Sequence, residues 1–130
     1  MFDYLKDMNN EIIRVQEWIE VLRTKAESMT KCYANDRVQT SSGDSLGDIM
    51  VKIVSLEERL NGMIDEYSDA KTQAKRIIFS LHNEEWQEIV YMRCIEQKTF
   101  REISRQKGGS IEAVKQKYRR ATKYIKKHLT

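Results

Sequence analysis

The end of the chain carries side chains that suit hydrogen bonding to nucleic-acid bases. The stretch SIEAVKQKYRRATKYIKK, residues 110–127, is crowded with Lys and Arg and holds one carboxylate, Glu112. Lys and Arg donate to guanine, Gln pairs with adenine through two hydrogen bonds, and Glu accepts from cytosine. At 100° per residue a helix here has an apolar stripe and, opposite to it, an exposed polar face. The candidates for base contacts on that face are Glu112, Lys115, Gln116 and Arg119.

Neighbouring side chains suit phosphate contacts, which add salt-sensitive affinity without sequence information. These candidates are Arg101, Ser110, Arg120, Lys123, Lys126 and Lys127. The net charge of the 130 residues is only +3, but residues 99–130 hold ten Lys/Arg against two Glu, while the preceding 98 hold thirteen against eighteen Asp/Glu. A basic end on an acidic body indicates a polyanionic partner for that end alone.

Three short helices are predicted to position these side chains. Asn83 is a plausible N-cap for a helix over 84–96. Thr99 with Glu102 has the spacing of a capping box that starts a short helix over 99–107. Glycines follow at 108 and 109, and Ser110 caps the last helix, over 110–128.

The short helix, the glycine turn and the longer helix have the order of a helix-turn-helix, in which the second helix enters the DNA major groove. Ile103 and Val114 are the apolar residues that would face each other across the turn, and Ser104 is small where the helices would cross. The apolar stripe of the last helix is Ile111, Val114, Tyr118, Ala121 and Ile125.

The first two thirds of the chain show two heptad seams, whose apolar residues are spaced three and four apart. One seam runs Leu5, Met8, Ile12, Val15, Ile19, Leu22, Ala26, Met29 and Tyr33. The other runs Ile49, Ile53, Leu56, Leu60, Met63, Tyr67, Ala70, Ala74, Ile77 and Leu81. Residues 34–47 between them read as a loop, so the prediction is a long antiparallel, coiled-coil-like helical hairpin over 1–82, followed by a helix-turn-helix domain over 83–130. The fold class is therefore all-α.

Further apolar residues flank both seams and make the apolar stripe wider than a two-helix hairpin can cover. They are Ile13, Trp18, Val21, Val54, Ile64 and Phe79. We expect the hairpin to pack against a second copy, giving a homodimer, or against the C-terminal segment. Both tryptophans, Trp18 and Trp86, are expected to be core residues rather than stacking platforms for bases.

The segment YMRCIEQKTFREISRQKGGSIEAVKQKYRRA resembles region 4 of bacterial sigma factors, a helix-turn-helix for the −35 promoter element. Its part VKQKYRRA is similar to the Val-Lys-x-Arg-Leu-x-Arg-Ala run of the extracytoplasmic-function type. The resemblance matches Ser110 to the recognition-helix cap, and Glu112, Lys115 and Gln116 to residues that touch bases. Lys107 and Gly109 stand where the housekeeping pattern has apolar side chains, and Ile111 replaces a cation.

With its helical hairpin, the whole chain resembles small phage and prophage regulators of late transcription. The resemblance implies a DNA-binding transcription regulator in a bacterial host cell, with double-stranded DNA as partner and a possible contact to RNA polymerase. The chain lacks a segment like the one with which sigma factors bind the −10 element, so it should not start transcription alone. Two other classes stay open: a structural DNA-packaging adaptor like a small terminase subunit, and a helical protein-interaction module with a basic tail.

Catalysis has little support in the sequence. His82 and His128 are isolated, no cluster has metal-ligand spacing, and no glycine-rich phosphate loop follows a strand. No enzyme activity, metal or cofactor is expected. Cys32 and Cys94 look like free thiols in a reducing compartment. Without an apolar run of membrane-spanning length or a signal peptide, the chain is expected to be cytoplasmic and to have no membrane partner.

Overall fold

The computed structural model describes residues 1–35 and 45–129, and in that part of the chain the fold is all-α. This confirms the predicted fold class. The five helices are α1 (Asp3–Asn35), α2 (Leu46–Phe79), α3 (Glu84–Cys94), α4 (Phe100–Lys107) and α5 (Ile111–His128). Most of the predicted 34–47 loop, residues 36–44, lies outside the described residues; Asn35 and Leu46 already belong to the flanking helices.

The helices form two compact units, and both α1 and α2 contribute to each of them. We call residues 9–66 the two-helix unit, and residues 1–8 together with 67–130 the C-terminal unit. Residues 67–82, which the sequence assigns to the hairpin, therefore share a unit with α3, α4 and α5.

In the two-helix unit, α1 and α2 bury one apolar seam between them. Its buried residues are Val15, Ile19, Leu22, Ala26, Ile49 and Ile53, and the partly buried Leu56, Leu60 and Met63 extend it. Beside the seam, Arg23 Nη2 lies 2.5 Å from Glu57 Oε1. Thr30, seven residues after Arg23, lines the same cleft as Met50, seven residues before Glu57. The two helices therefore run in opposite directions. Trp18, expected in the core, is 53% exposed, because it lies to one side of the seam.

The C-terminal unit is built around α3, which contributes to two apolar clusters. The larger cluster joins the start of α1, the end of α2 and the second half of α5: Phe2, Leu5, Ala74, Ile78, Leu81, Val90, Cys94, Ala121 and Ile125. The smaller cluster joins α3, α4 and the first half of α5: Ile89, Met92, Ile103 and Val114. Of the two adjacent isoleucines in α2, the fully buried one is Ile78, whereas the predicted Ile77 is only partly buried.

The three predicted N-caps are confirmed. Asn83 Oδ1 accepts from the Trp86 amide at 3.1 Å, Thr99 Oγ1 from Glu102 at 3.2 Å, and Ser110 Oγ from Ala113 at 3.1 Å. Each bond satisfies an amide that the first turn of a helix leaves without a partner.

Helix α3 ends at Cys94, two residues before the predicted end. Gln97 adopts a left-handed backbone conformation with φ of 60°, and the Lys98 amide donates to the Met92 carbonyl at 3.0 Å. The left-handed residue after a helix end is usually glycine, because glycine adopts positive φ without a steric penalty. The Gln97 side chain adds a 2.9 Å bond from Nε2 to the Cys94 carbonyl, which supports the turn.

Candidate nucleic-acid interface

Helix α5 has one buried side and one exposed side. Val114, Ala121 and Ile125 are at most 4% exposed, while Ile111 and Tyr118 are partly buried. The apolar stripe predicted for this helix is therefore the side that packs on the rest of the unit. Because this stripe fixes the rotation of α5, the opposite side chains are held toward the solvent.

Three of the four candidates for base contacts are exposed on α5: Glu112, Gln116 and Arg119. The fourth, Lys115, keeps 37% of its side chain exposed, and its Nζ lies 3.7 Å from Glu112 Oε1. The four side chains span about 10 Å along the axis at 1.5 Å per residue, which is close to the 12 Å width of the DNA major groove. Their arrangement offers donors and acceptors from one helix face.

The candidates for phosphate contacts are all exposed, and five of the six lie on α5 or at its cap. Lys123 and Lys127 lie about 16 and 22 Å beyond Glu112 along the helix axis. A major groove 12 Å wide would not contain this part of the helix. The two lysines would therefore lie outside the groove, near the phosphates at its edge. Arg101 projects from α4 on the side opposite the buried Ile103, at 200° from it.

Two glycines allow the sharp turn from α4 into α5. Gly108 and Gly109 have φ of 78° and 103°, in the range that residues with a Cβ rarely adopt. Neither would bring an added Cβ within 4 Å of another atom, so the requirement for glycine is conformational rather than steric. The turn geometry therefore accounts for the glycine at both positions.

Ion pairs connect α3 to the first half of α5 and to the end of α4. Lys117 Nζ lies 2.5 Å from Glu85 Oε1, and Lys107 pairs with Glu88. The hydrogen bond from Lys117 lowers the pKa of Glu85. Exposed pairs of this kind contribute little to stability. Their effect on the interface is electrostatic, since they neutralise two carboxylates of α3 beside the basic surface.

The sequence interpretation missed these two ion pairs. The sequence pattern assigns no role to Glu85, and it marks Lys107 only as a departure from the sigma pattern. The available signal is weak: two acids three residues apart, such as Glu85 and Glu88, before a basic segment are common in helices.

Tyr118 connects the two apolar clusters of the C-terminal unit. It packs against both clusters, its ring centroid lies 5.4 Å from that of Phe100, and its hydroxyl lies 3.6 Å from Cys94 Sγ. Burial is the main reason why the pKa values of both Tyr118 and Cys94 are raised. The neutral forms of both side chains are thus part of the packing behind the exposed face of α5.

These raised pKa values predict that the protein loses stability at alkaline pH. The unfolded chain releases the protons near the ordinary pKa values, 9.0 for Cys and 10.0 for Tyr, whereas the folded chain keeps them. Since the folded state then binds more protons, the contribution of these two groups to the free energy of unfolding is constant below about pH 8 and falls as the pH rises above it. Tyr118→Phe removes one of the two groups, so its urea midpoint should fall less than that of the wild type between about pH 8 and pH 11. Parallel losses in the two proteins would contradict this assignment.

Within residues 1–35 and 45–129, no group of three or more His, Cys, Asp or Glu residues could hold a metal ion. No described helix is long and apolar enough to cross a membrane. No protein family, curated protein or solved structure matches the chain.

Proposed function

We propose that the protein is a sequence-specific DNA-binding transcription regulator in which α4 and α5 act as a helix-turn-helix. The observation that carries the proposal is the division of α5 into a buried apolar side and an exposed side that bears Glu112, Gln116 and Arg119, continued by cations. Solubility alone needs charges on the exposed side. Solubility does not require side chains that can hydrogen-bond to bases near the start of the helix, followed by cations along the rest of it.

Electrostatics favour DNA as the partner of this face. Residues 99–130 carry ten Lys/Arg and two Glu. One of the two, Glu112, lies 3.7 Å from Lys115, and the nearby carboxylates of Glu85 and Glu88 are paired with lysines. A helix that binds a membrane surface instead presents a broad apolar side with Trp or Phe, and the apolar side of α5 is buried within the unit.

In the proposed mechanism the basic surface attracts DNA, and α5 then reads a short motif in the major groove. Lys115 and Arg119 donate to guanine, Gln116 pairs with adenine, and Glu112 accepts from cytosine. Arg101, Ser110 and the cations at 120, 123, 126 and 127 fix the register on phosphates. The helical hairpin of α1 and α2 presents this domain to a second copy or to RNA polymerase, as in a phage or prophage regulator of bacterial host promoters.

Gel shifts on a panel of promoter fragments test the proposal. The wild type should prefer some fragments, and Lys115→Ala or Gln116→Ala should reduce that preference by roughly 5- to 150-fold, because one base contact supplies about 1–3 kcal/mol of discrimination. Gln73→Ala is the matched control: Gln73 is exposed on α2 in the same unit and should leave the preference unchanged. If the α5 variants discriminate among fragments as the wild type does, the assignment of these residues is wrong.

The oligomeric state separates the regulator from the packaging adaptor. A regulator of this kind is a monomer or dimer, whereas a terminase-like adaptor forms a closed ring of many copies. Light scattering that gives a ring of about eight to twelve chains would favour the adaptor. Absence of DNA binding at physiological salt would favour an interaction module with a basic tail.

A further inference from the structure

The two-helix unit exposes an apolar ridge at the start of α2, formed by Met50, Val51 and Val54. These side chains are 47%, 69% and 52% exposed, and they fall within 100° of one another around the helix. Gly47 lies next to the ridge. A Cβ added there would meet only Ser45 Oγ, at 3.8 Å. Contiguous exposed apolar patches often have a binding role.

Beside the ridge lies a cleft of about 700 Å³ between α1 and α2. Its apolar lining is Ala26, Leu46, Met50, Ile53 and Val54. The ridge and the cleft therefore share one surface, because Met50 and Val54 belong to both. An interface with two-fold symmetry uses the same patch on both partners, so the ridge of each copy can enter the cleft of the other.

The charges at the cleft are balanced, which suits a partner with the same charges. Arg23 and Lys31 line it together with Glu27 and Glu57, two of each sign. The unit as a whole is acidic, with seven Lys/Arg and eleven Asp/Glu over residues 9–66, so two copies repel each other over most of its surface. Two copies that meet through this apolar surface avoid that repulsion, because the charges at its border are balanced. A polyanion such as DNA finds no net positive charge there.

We infer that this surface binds a second copy of the same chain, ridge into cleft, and that the two-helix unit is the dimerisation element. The ridge is small compared with the roughly 1,600 Å² that a standard interface buries. The dimer is therefore weak in solution, with a dissociation constant in the micromolar to millimolar range. Adjacent copies bound on one DNA would be present at high effective concentration and would associate readily.

The test is sedimentation equilibrium of the full chain without DNA, over protein concentrations from about 1 μM to 1 mM. The wild-type mass should rise from 15.4 kDa toward twice that value. Val51→Glu, which places a charge on the ridge, should raise the dissociation constant at least about tenfold. Ser28→Glu places the same charge at an exposed position of α1 outside the cleft lining and should leave the constant within about twofold.

Val51 and Ser28 are both exposed, so both variants should retain the wild-type circular dichroism spectrum and melting curve. A wild type that stays monomeric at all concentrations would overturn the inference. Equal weakening by Ser28→Glu and Val51→Glu would also overturn it, since the interface would not then be the ridge. The measurement contains no DNA, so its failure leaves the proposed DNA binding standing, and failed gel shifts leave the dimer standing.

Discussion

Replacing Leu5 by alanine should destabilise the C-terminal unit by about 2–5 kcal/mol and weaken DNA binding, although Leu5 lies more than a hundred residues from α5 in the sequence. Leu5 is fully buried in the cluster that contains Ala121 and Ile125 of α5. The substitution removes apolar contacts and leaves a cavity in that cluster. An unfolding free energy of 5–15 kcal/mol is typical of a domain, so this loss is a large fraction of the total.

Urea denaturation followed by circular dichroism measures the loss for Leu5→Ala. The control is Val21→Ala on the same helix, at a side chain 63% exposed, which should change the free energy by no more than about 0.5 kcal/mol. A Leu5→Ala protein as stable as the control would show that the start of α1 is not part of the core behind α5.

The second large effect should come from removing two cations of α5 that are assigned to phosphates. Lys123→Ala with Lys127→Ala should lower the affinity for every DNA sequence by about 10- to 100-fold at low salt. It should also reduce the slope of log K against log salt by about 2, since each phosphate contact contributes about 0.9. The preference among sequences should remain, because neither lysine is assigned to a base.

Fluorescence anisotropy with labelled duplexes at several salt concentrations gives both quantities. Lys25→Ala with Arg59→Ala removes the same charge from exposed positions of the two-helix unit and serves as the control. If both double variants lose affinity equally, net charge rather than the α5 surface governs binding.

Much of the local structure could be predicted because its causes are local. The N-caps at Asn83, Thr99 and Ser110 depend on the residue and on the first turn that follows it. The glycine pair at 108–109 is recognisable because positive φ favours glycine. The division of α5 into an apolar and a polar side follows from helical periodicity alone.

The remaining features depend on contacts between distant segments. Periodicity alone could not place Ile78 rather than Ile77 in the core, because both fit a seam with alternating steps of three and four. Nor does a heptad pattern show that the start of α1 packs against α5. Trp18 is predicted to be a core residue, yet its position beside the seam leaves it half exposed.

The sequence predicts which side chains form the candidate interface, but it does not predict the ion pairs that they and their neighbours make. The exposure of Glu112, Gln116 and Arg119 follows from the helical pattern. Lys115 and Glu112 are three residues apart in the sequence, but the 3.7 Å distance between Nζ and Oε1 depends on the rotamers of the two side chains. The pairs of α3 with Lys107 and Lys117 required the packing of three helices.

The most direct test of sequence-specific reading by α5 is a ratio of two affinities. A duplex selected from a random library by the wild-type protein is compared with a scrambled duplex of the same length and composition, at about 150 mM salt. The proposed function predicts that the selected duplex binds at least about 1,000-fold more tightly, as specific DNA-binding proteins do. Equal affinities, or a library that stays random through selection, would contradict it.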